Sequence, residues 1–187
     1  MTNQEKKDCV ISILHSTFYN NKSVNFVLKQ DQKKDKRLRT LLEYSYFHGE
    51  EFGEIILTED KSTCAIIVDP SRKKTTLKSI FWNIKIGFQC IGFFNLKKVL
   101  RREAILNKLH PKCPYIYLWY VGVDEKHQGK GKGTVLINQI TEKYKRENRP
   151  VYLQTSTERN FAFYEKLGFT KIAEPDVGYP LKLYLKK

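Results

Sequence analysis

No two of the four cysteines, Cys9, Cys64, Cys90 and Cys113, stand in a CxxC pair, which removes a zinc site and a disulfide framework from the readings of this chain. Widely spaced free thiols suit a reducing compartment. The opening residues, Met1 to Asp8, are polar and charged and lack the apolar segment of a signal peptide, so a cytoplasmic location is expected. Pro-rich linkers, internal repeats and low-complexity tracts are absent, and 187 residues leave room for one domain, 1–187, with one active site. Acidic residues are scarce: 20 Asp and Glu stand against 34 Lys and Arg, a formal net charge of +14. That excess admits nucleic acid, an acidic membrane surface or a phosphorylated ligand as partner. The basic runs Lys33 to Arg39, Arg72 to Lys74 and Lys98 to Arg102 carry no interleaved aromatics, and no helix-turn-helix or RNP-like pattern accompanies them. A basic nucleic-acid-binding protein is therefore the weakest reading, and no nucleic-acid partner is expected.

Long apolar runs are equally scarce. The best, Ser79 to Leu96, is interrupted by Asn83, Lys85, Gln89 and Asn95, while Phe81, Ile84, Phe88 and Ile91 fall at helical spacing. An amphipathic helix packed on the domain is expected there, not a membrane span.

What is present is an alternation of helical and strand-like patterns. Asp8 to Asn20, Ser23 to Lys29 and Arg37 to Phe47 read as helices with Val10, Leu14, Phe18, Phe26, Leu28, Leu38, Leu41 and Leu42 facing inward. Glu54 to Leu57 and Cys64 to Val68 read as a hairpin. Two helices follow, ending near His110. Tyr115 to Val123 has nine residues without charge, the pattern of a central buried strand, and Gly122 within it marks a bulge or a place where something approaches the backbone closely. Leu136, Ile137, Ile140 and Tyr144 recur at helical spacing before a strand at Val151 to Thr155, so the two strands should lie parallel across a helical crossover. A helix at Asn160 to Leu167 and strands at Thr170 to Ala173 and Leu181 to Leu185 complete the pattern.

Between the central strand and its helix stands Gln128-Gly129-Lys130-Gly131-Lys132-Gly133-Thr134. Glycines at alternate positions let successive amides turn toward one concavity, and a following helix N-terminus makes that concavity more positive. The spacing does not fit GxxxxGK[ST], since the last glycine is followed by Thr134. It does not fit GxGxxG either, because Thr134 stands where a glycine is needed and Gln154 where the acidic residue is needed. Triphosphate hydrolysis and nicotinamide chemistry lose support, and QxxGxG remains.

Strand, QGKGKG loop, helix, strand and then RNFAFYEKLGF resemble the GNAT acetyltransferase superfamily, most strongly from about His110 to Phe169. HPKCPYIYLWYVGVDEKHQGKGKG with YLQTSTERNFAFYEKLGF is similar, more narrowly, to the branch containing puromycin N-acetyltransferase. The resemblance implies an α/β (α+β) fold, a central mixed twisted sheet flanked by helices, with residues 71–114 a helical insertion and 115–169 the acetyl-CoA-binding core. It implies acetyl-CoA as cosubstrate, no metal, and an amine of a small molecule or protein as acceptor; oligomeric state stays open between monomer and homodimer, the aromatic strands near the C-terminus being able to pair between subunits. Val121, Gly122 and Val123 would pair with the pantetheine arm, and Gln128, Gly129, Lys130, Gly131, Lys132, Gly133 and Thr134 would hold the pyrophosphate.

Asn160 and Tyr164 lie four apart on one helical face. By resemblance Asn160 contacts pantetheine and Tyr164 is the acid that protonates the departing thiolate. Many relatives place a glutamate on the central strand as base, and this strand has none: Tyr117 occupies the place, leaving water, His110 or Tyr117 as candidates. Gln154 replaces the glutamate of the puromycin-type LETS, so shared acceptor specificity is not expected. The missing carboxylate also motivates an alternative, an acyl-CoA-binding module without turnover. Tyr44, Tyr46, Trp82 and Phe88 are candidate pocket aromatics.

Overall fold

Thr2 opens the first helix with a capping box, its hydroxyl accepting from the Glu5 amide while the Glu5 carboxylate accepts from the Thr2 amide. In the computed structural model, which describes residues 1–187, that helix is α1 (Asn3–Phe18) and begins before the expected Asp8, because a polar cap carries no hydrophobic period. α2 (Lys22–Val27) and α3 (Lys34–Phe52) complete an N-terminal layer. Val10, Leu14, Leu38 and Leu42, all fully buried, join α1 to α3, each contributing roughly 1.5–3 kcal/mol by burial.

α3 runs directly into β1 (Gly53–Leu57), which pairs antiparallel with β2 (Thr63–Val68) as the expected hairpin. The remaining strands are β3 (Ile116–Val123), β4 (Val151–Thr155), β5 (Thr170–Ala173) and β6 (Lys182–Lys186), in the order β1-β2-β3-β4-β6-β5. Only β3 and β4 are parallel, and α6 (Lys132–Arg146) is their crossover, burying Leu136, Ile137, Ile140 and Tyr144. α7 (Arg159–Lys166) follows β4. The parallel ladder is short: Ile116 pairs with Val151 and Tyr117 with Tyr152, and there the register ends. From Leu118 onward the β4-facing edge of β3 has no strand partner, so the sheet splits at its centre. Below the split, Arg149 grips Asp69 with two bonds of 2.6 and 2.7 Å and donates to the Tyr115 carbonyl, tying β2 to the start of both parallel strands.

The insertion between β2 and β3 consists of α4 (Leu77–Ile86), a π-helical turn (Gly87–Ile91) and α5 (Phe93–Leu109). The expected inward stripe is corrected here. Phe81, Ile84 and Phe88 point outward, Phe88 being 81% exposed, and the inward stripe is Ser79, Trp82, Ile86 and Cys90. Both faces are apolar, so periodicity could not choose between them. Bulk does: Trp82 stacks on Phe47 and meets Tyr44 edge-on. No helix is long and apolar enough to cross a membrane.

Candidate active site

The split in the sheet opens into a cavity of about 660 Å³, a size suited to small ligands. Its walls come from β3, the end of β4, the face of α7 and the inner sides of α1, α3 and the insertion. Val121, Asn160 and Tyr164 line it together. The base is held by a polar cluster that bridges the α1–α2 junction to the β4–α7 junction. Asn21 donates to Thr157 at 3.3 Å and caps α2 through the Val24 amide, while Ser156 accepts from the Ser23 amide at 3.1 Å.

The glycine loop stands apart from these walls, at the far end of β3. Gly129 and Gly131 have φ of +75° and +74°, which only glycine adopts without strain, and Gly131 caps α6. Gly133 comes close to β3, where an added Cβ would lie 3.3 Å from Val123 Cγ2. The six amides of Gly129 to Thr134 donate to no acceptor in the protein. Six adjacent free donors at a helix N-terminus form an anion cradle. Around it, Gln128 donates to the Val123 carbonyl at 3.1 Å, and Lys130 folds back onto the Lys126 carbonyl at 3.0 Å. Lys132 is paired with Asp60 of the β1–β2 turn, so its ammonium already has a counter-ion.

Gly122 does admit a close approach, and the neighbour is α1. A Cβ there would meet Leu14 Cδ2 at 2.9 Å and Ile13 Cγ2 at 3.0 Å. The missing side chain is taken up by packing.

Tyr164 is buried, its phenol makes no hydrogen bond, and burial pushes its pKa up to about 12. It is thus fully protonated at neutral pH. Tyr117 lines the cavity, and burial raises its phenol well above the usual range, which disfavours the phenolate a base would need. His110, at the end of α5, lines the cavity and is kept neutral by partial burial against Tyr115 and Tyr152. Of the candidate pocket aromatics, Tyr44 lines the cavity, Trp82 supports it from behind, Tyr46 is core, and Phe88 faces away.

Sequence reasoning missed Glu103 on α5, the one carboxylate lining the cavity. The signal was there: Glu103 is the sole acidic residue between Asp69 and Asp124. Its neighbour Arg102, 8% exposed, was missed as well.

A six-stranded mixed sheet flanked by helices and split between its parallel strands is an acetyltransferase fold. The chain belongs to the acetyltransferase (GNAT) family, which matches residues 39–169. An uncharacterised N-acetyltransferase of Schizosaccharomyces pombe is 27% identical over 147 residues, 74% of this chain and 60% of that protein, so the chain spans little more than half the relative's length. Among solved structures, a histone acetyltransferase HPA2 and related acetyltransferase from Corynebacterium glutamicum superposes with a TM-score of 0.64 at 19% identity, over 99% of this chain and 92% of that one. Arylalkylamine N-acetyltransferase 2 from Aedes aegypti superposes with a TM-score of 0.65 at 15% identity, over 99% and 95%.

Proposed function

We propose that this chain transfers an acetyl group from acetyl-CoA directly to a small primary amine. The observation that carries this reading is the run of six unpaired amides from Gly129 to Thr134 beside the unpaired edge of β3. A diphosphate fits the first, and an extended amide-bearing arm fits the second by strand addition. Acetyl-CoA has both groups and supplies an activated acetyl thioester.

The chain's own residues then have separate tasks. The amides of Gly129 to Thr134 hold the pyrophosphate, and Lys130 adds charge nearby. Val121 and Val123 present backbone groups of β3 to the pantetheine, with Gly122 between them, and Asn160 adds a side-chain amide. Tyr164 holds a proton at Oη for the departing sulfur. With the phenol near 12 and a thiol near 8.5, that transfer is uphill by about 3.5 units, roughly 5 kcal/mol. A turnover of about 10 per second allows a barrier of about 16 kcal/mol, so the step is affordable at neutral pH. His110 is the neutral base available to the acceptor's proton, which water can also take. Positioning within the cavity supplies much of the remainder.

Two further points support the reading. The insertion helices line the cavity with Asn83, Ile86, Ile91 and Val99, which supports a small acceptor. The stretch from His110 to Phe169 resembles the puromycin-type branch in sequence, while Gln154, which donates to Tyr152 Oη at 2.8 Å, gives the acceptor wall a neutral face. Calorimetry with acetyl-CoA and a transfer assay over a panel of amines test the proposal. Micromolar binding with acetylation of at least one small amine is expected. Binding without transfer across the panel would make the chain an acyl-CoA-binding module, and no binding would end both readings.

A further inference from the structure

The acceptor side of the cavity has a chemistry of its own. Glu103 projects from the insertion helix α5 among the aromatic residues Tyr44, Tyr117, Trp119 and Tyr120, which share the cavity wall with it. Trp119 lies edge-on to Tyr44 at 6.2 Å and stacked on Tyr117 at 6.1 Å between ring centroids, forming a continuous π surface. The negative field of Glu103 reaches three of these side chains, raising the phenols of Tyr44, Tyr117 and Tyr120 beyond what burial does.

Lys73, Arg102 and Arg159 are the cavity's cationic side chains, and Arg102 is already engaged. Its guanidinium donates to Tyr179 Oη at 2.6 Å, to Ser23 Oγ at 2.7 Å and to Oε1 of Glu103. Arg102 therefore works as a bracket for the carboxylate. Oε2 of Glu103 accepts no hydrogen bond, and the side chain lines the cavity while remaining 47% exposed.

We propose that Glu103 and this aromatic surface form the acceptor-recognition site, and that the acceptor class is a protonated primary amine on a short stem from a flat aromatic body. Oε2 of Glu103 receives the ammonium, the electron-rich ring faces add cation–π attraction, and Trp119 with Tyr44 holds the flat body. The inference rests on the acetyl-transfer reading for its chemistry, but binding of the amine can be measured without acetyl-CoA.

The experiment uses phenethylamine and a straight-chain amine of equal length, with Glu103→Gln and Trp119→Phe variants of the full chain. Binding is followed by tryptophan fluorescence or calorimetry without acetyl-CoA, and acceptor KM is measured with it. Phenethylamine should bind at least tenfold more tightly than the straight-chain amine. Glu103→Gln should raise both its Kd and its acceptor KM ten- to hundredfold while acetyl-CoA affinity stays within twofold, a split that a folding defect would not produce. An unchanged Kd in Glu103→Gln, or equal binding of both amines, overturns the inference. Amine binding that depends on Glu103 without any acetylation would instead overturn the catalytic reading and leave the recognition site standing.

Discussion

At the scale of single residues, Tyr164 and Gly131 separate chemistry from grip. Tyr164 is packed by Phe163, Phe169 and Tyr184, so Tyr164→Phe keeps the ring contacts and removes only a hydroxyl that bonds to nothing in the protein. The expected outcome is a 10²-fold or greater fall in kcat, with acetyl-CoA affinity within threefold and melting temperature unchanged. An unchanged kcat across pH would remove Tyr164 as the acid. Gly131→Ala should do the reverse. A Cβ there meets open space, so nothing clashes, but φ of +74° strains a non-glycine residue by about 1–2 kcal/mol and tilts the amide cradle. Acetyl-CoA Kd should rise about tenfold in calorimetry while kcat at saturation holds.

Whole elements respond to packing. In the insertion, Ile86 and Ile91 are each 7% exposed, whereas Phe93 and Phe94 are 85% and 95% exposed. Ile91→Ser should destabilise the protein by about 2–3 kcal/mol in urea unfolding, and the Phe93→Ser and Phe94→Ser pair by less than 0.5 kcal/mol. Gly122→Ala should cost about 1–3 kcal/mol, since α1 must move off β3 to admit the methyl. These same elements show why the sequence was legible in some places and opaque in others. Strand β3, the glycine loop, α6 and β4 were readable because one uncharged run, one turn chemistry and one helical period each had a single physical solution. The insertion was not, because Phe81, Ile84 and Phe88 make an apolar stripe as good as the buried one, and only contact with Phe47 and Tyr44 settles which faces inward. Glu103 escaped for a related reason. A lone acid in a basic helix looks like surface until the fold turns that face of α5 onto the cavity.

For the molecule as a whole, burial and ion pairing together set how stability depends on pH. His48 is 3% exposed among Tyr44, Phe47 and Phe52, its Nδ1 has no partner, and burial lowers its pKa to about 4. In the unfolded chain a histidine titrates near 6.5, so the unfolded state takes up the proton first. Stability from neutral His48 is complete above about pH 6.5 and is lost progressively as pH falls toward 4, by up to about 3 kcal/mol. His110, also lowered by burial, acts in the same direction. Asp69 supplies a second, more acidic step. The Arg149 guanidinium holds its carboxyl at about 2, against about 3.9 unfolded, so its contribution is complete above that unfolded value and disappears as pH approaches 2. Urea unfolding at a series of pH values should therefore show a plateau above pH 7 and two successive declines. His48→Phe should flatten the first decline, and Asp69→Asn should make the second shallower without removing it, because Asp31 and Asp60, held low by Arg37 and Lys132, contribute to it as well; the variant should cost about 2 kcal/mol at pH 7 through loss of a charge-assisted pair. A wild-type curve that stays level from pH 7 to 4.5 would mean that His48 is protonated in the fold, the hydrogen bond to the Tyr44 backbone outweighing its burial.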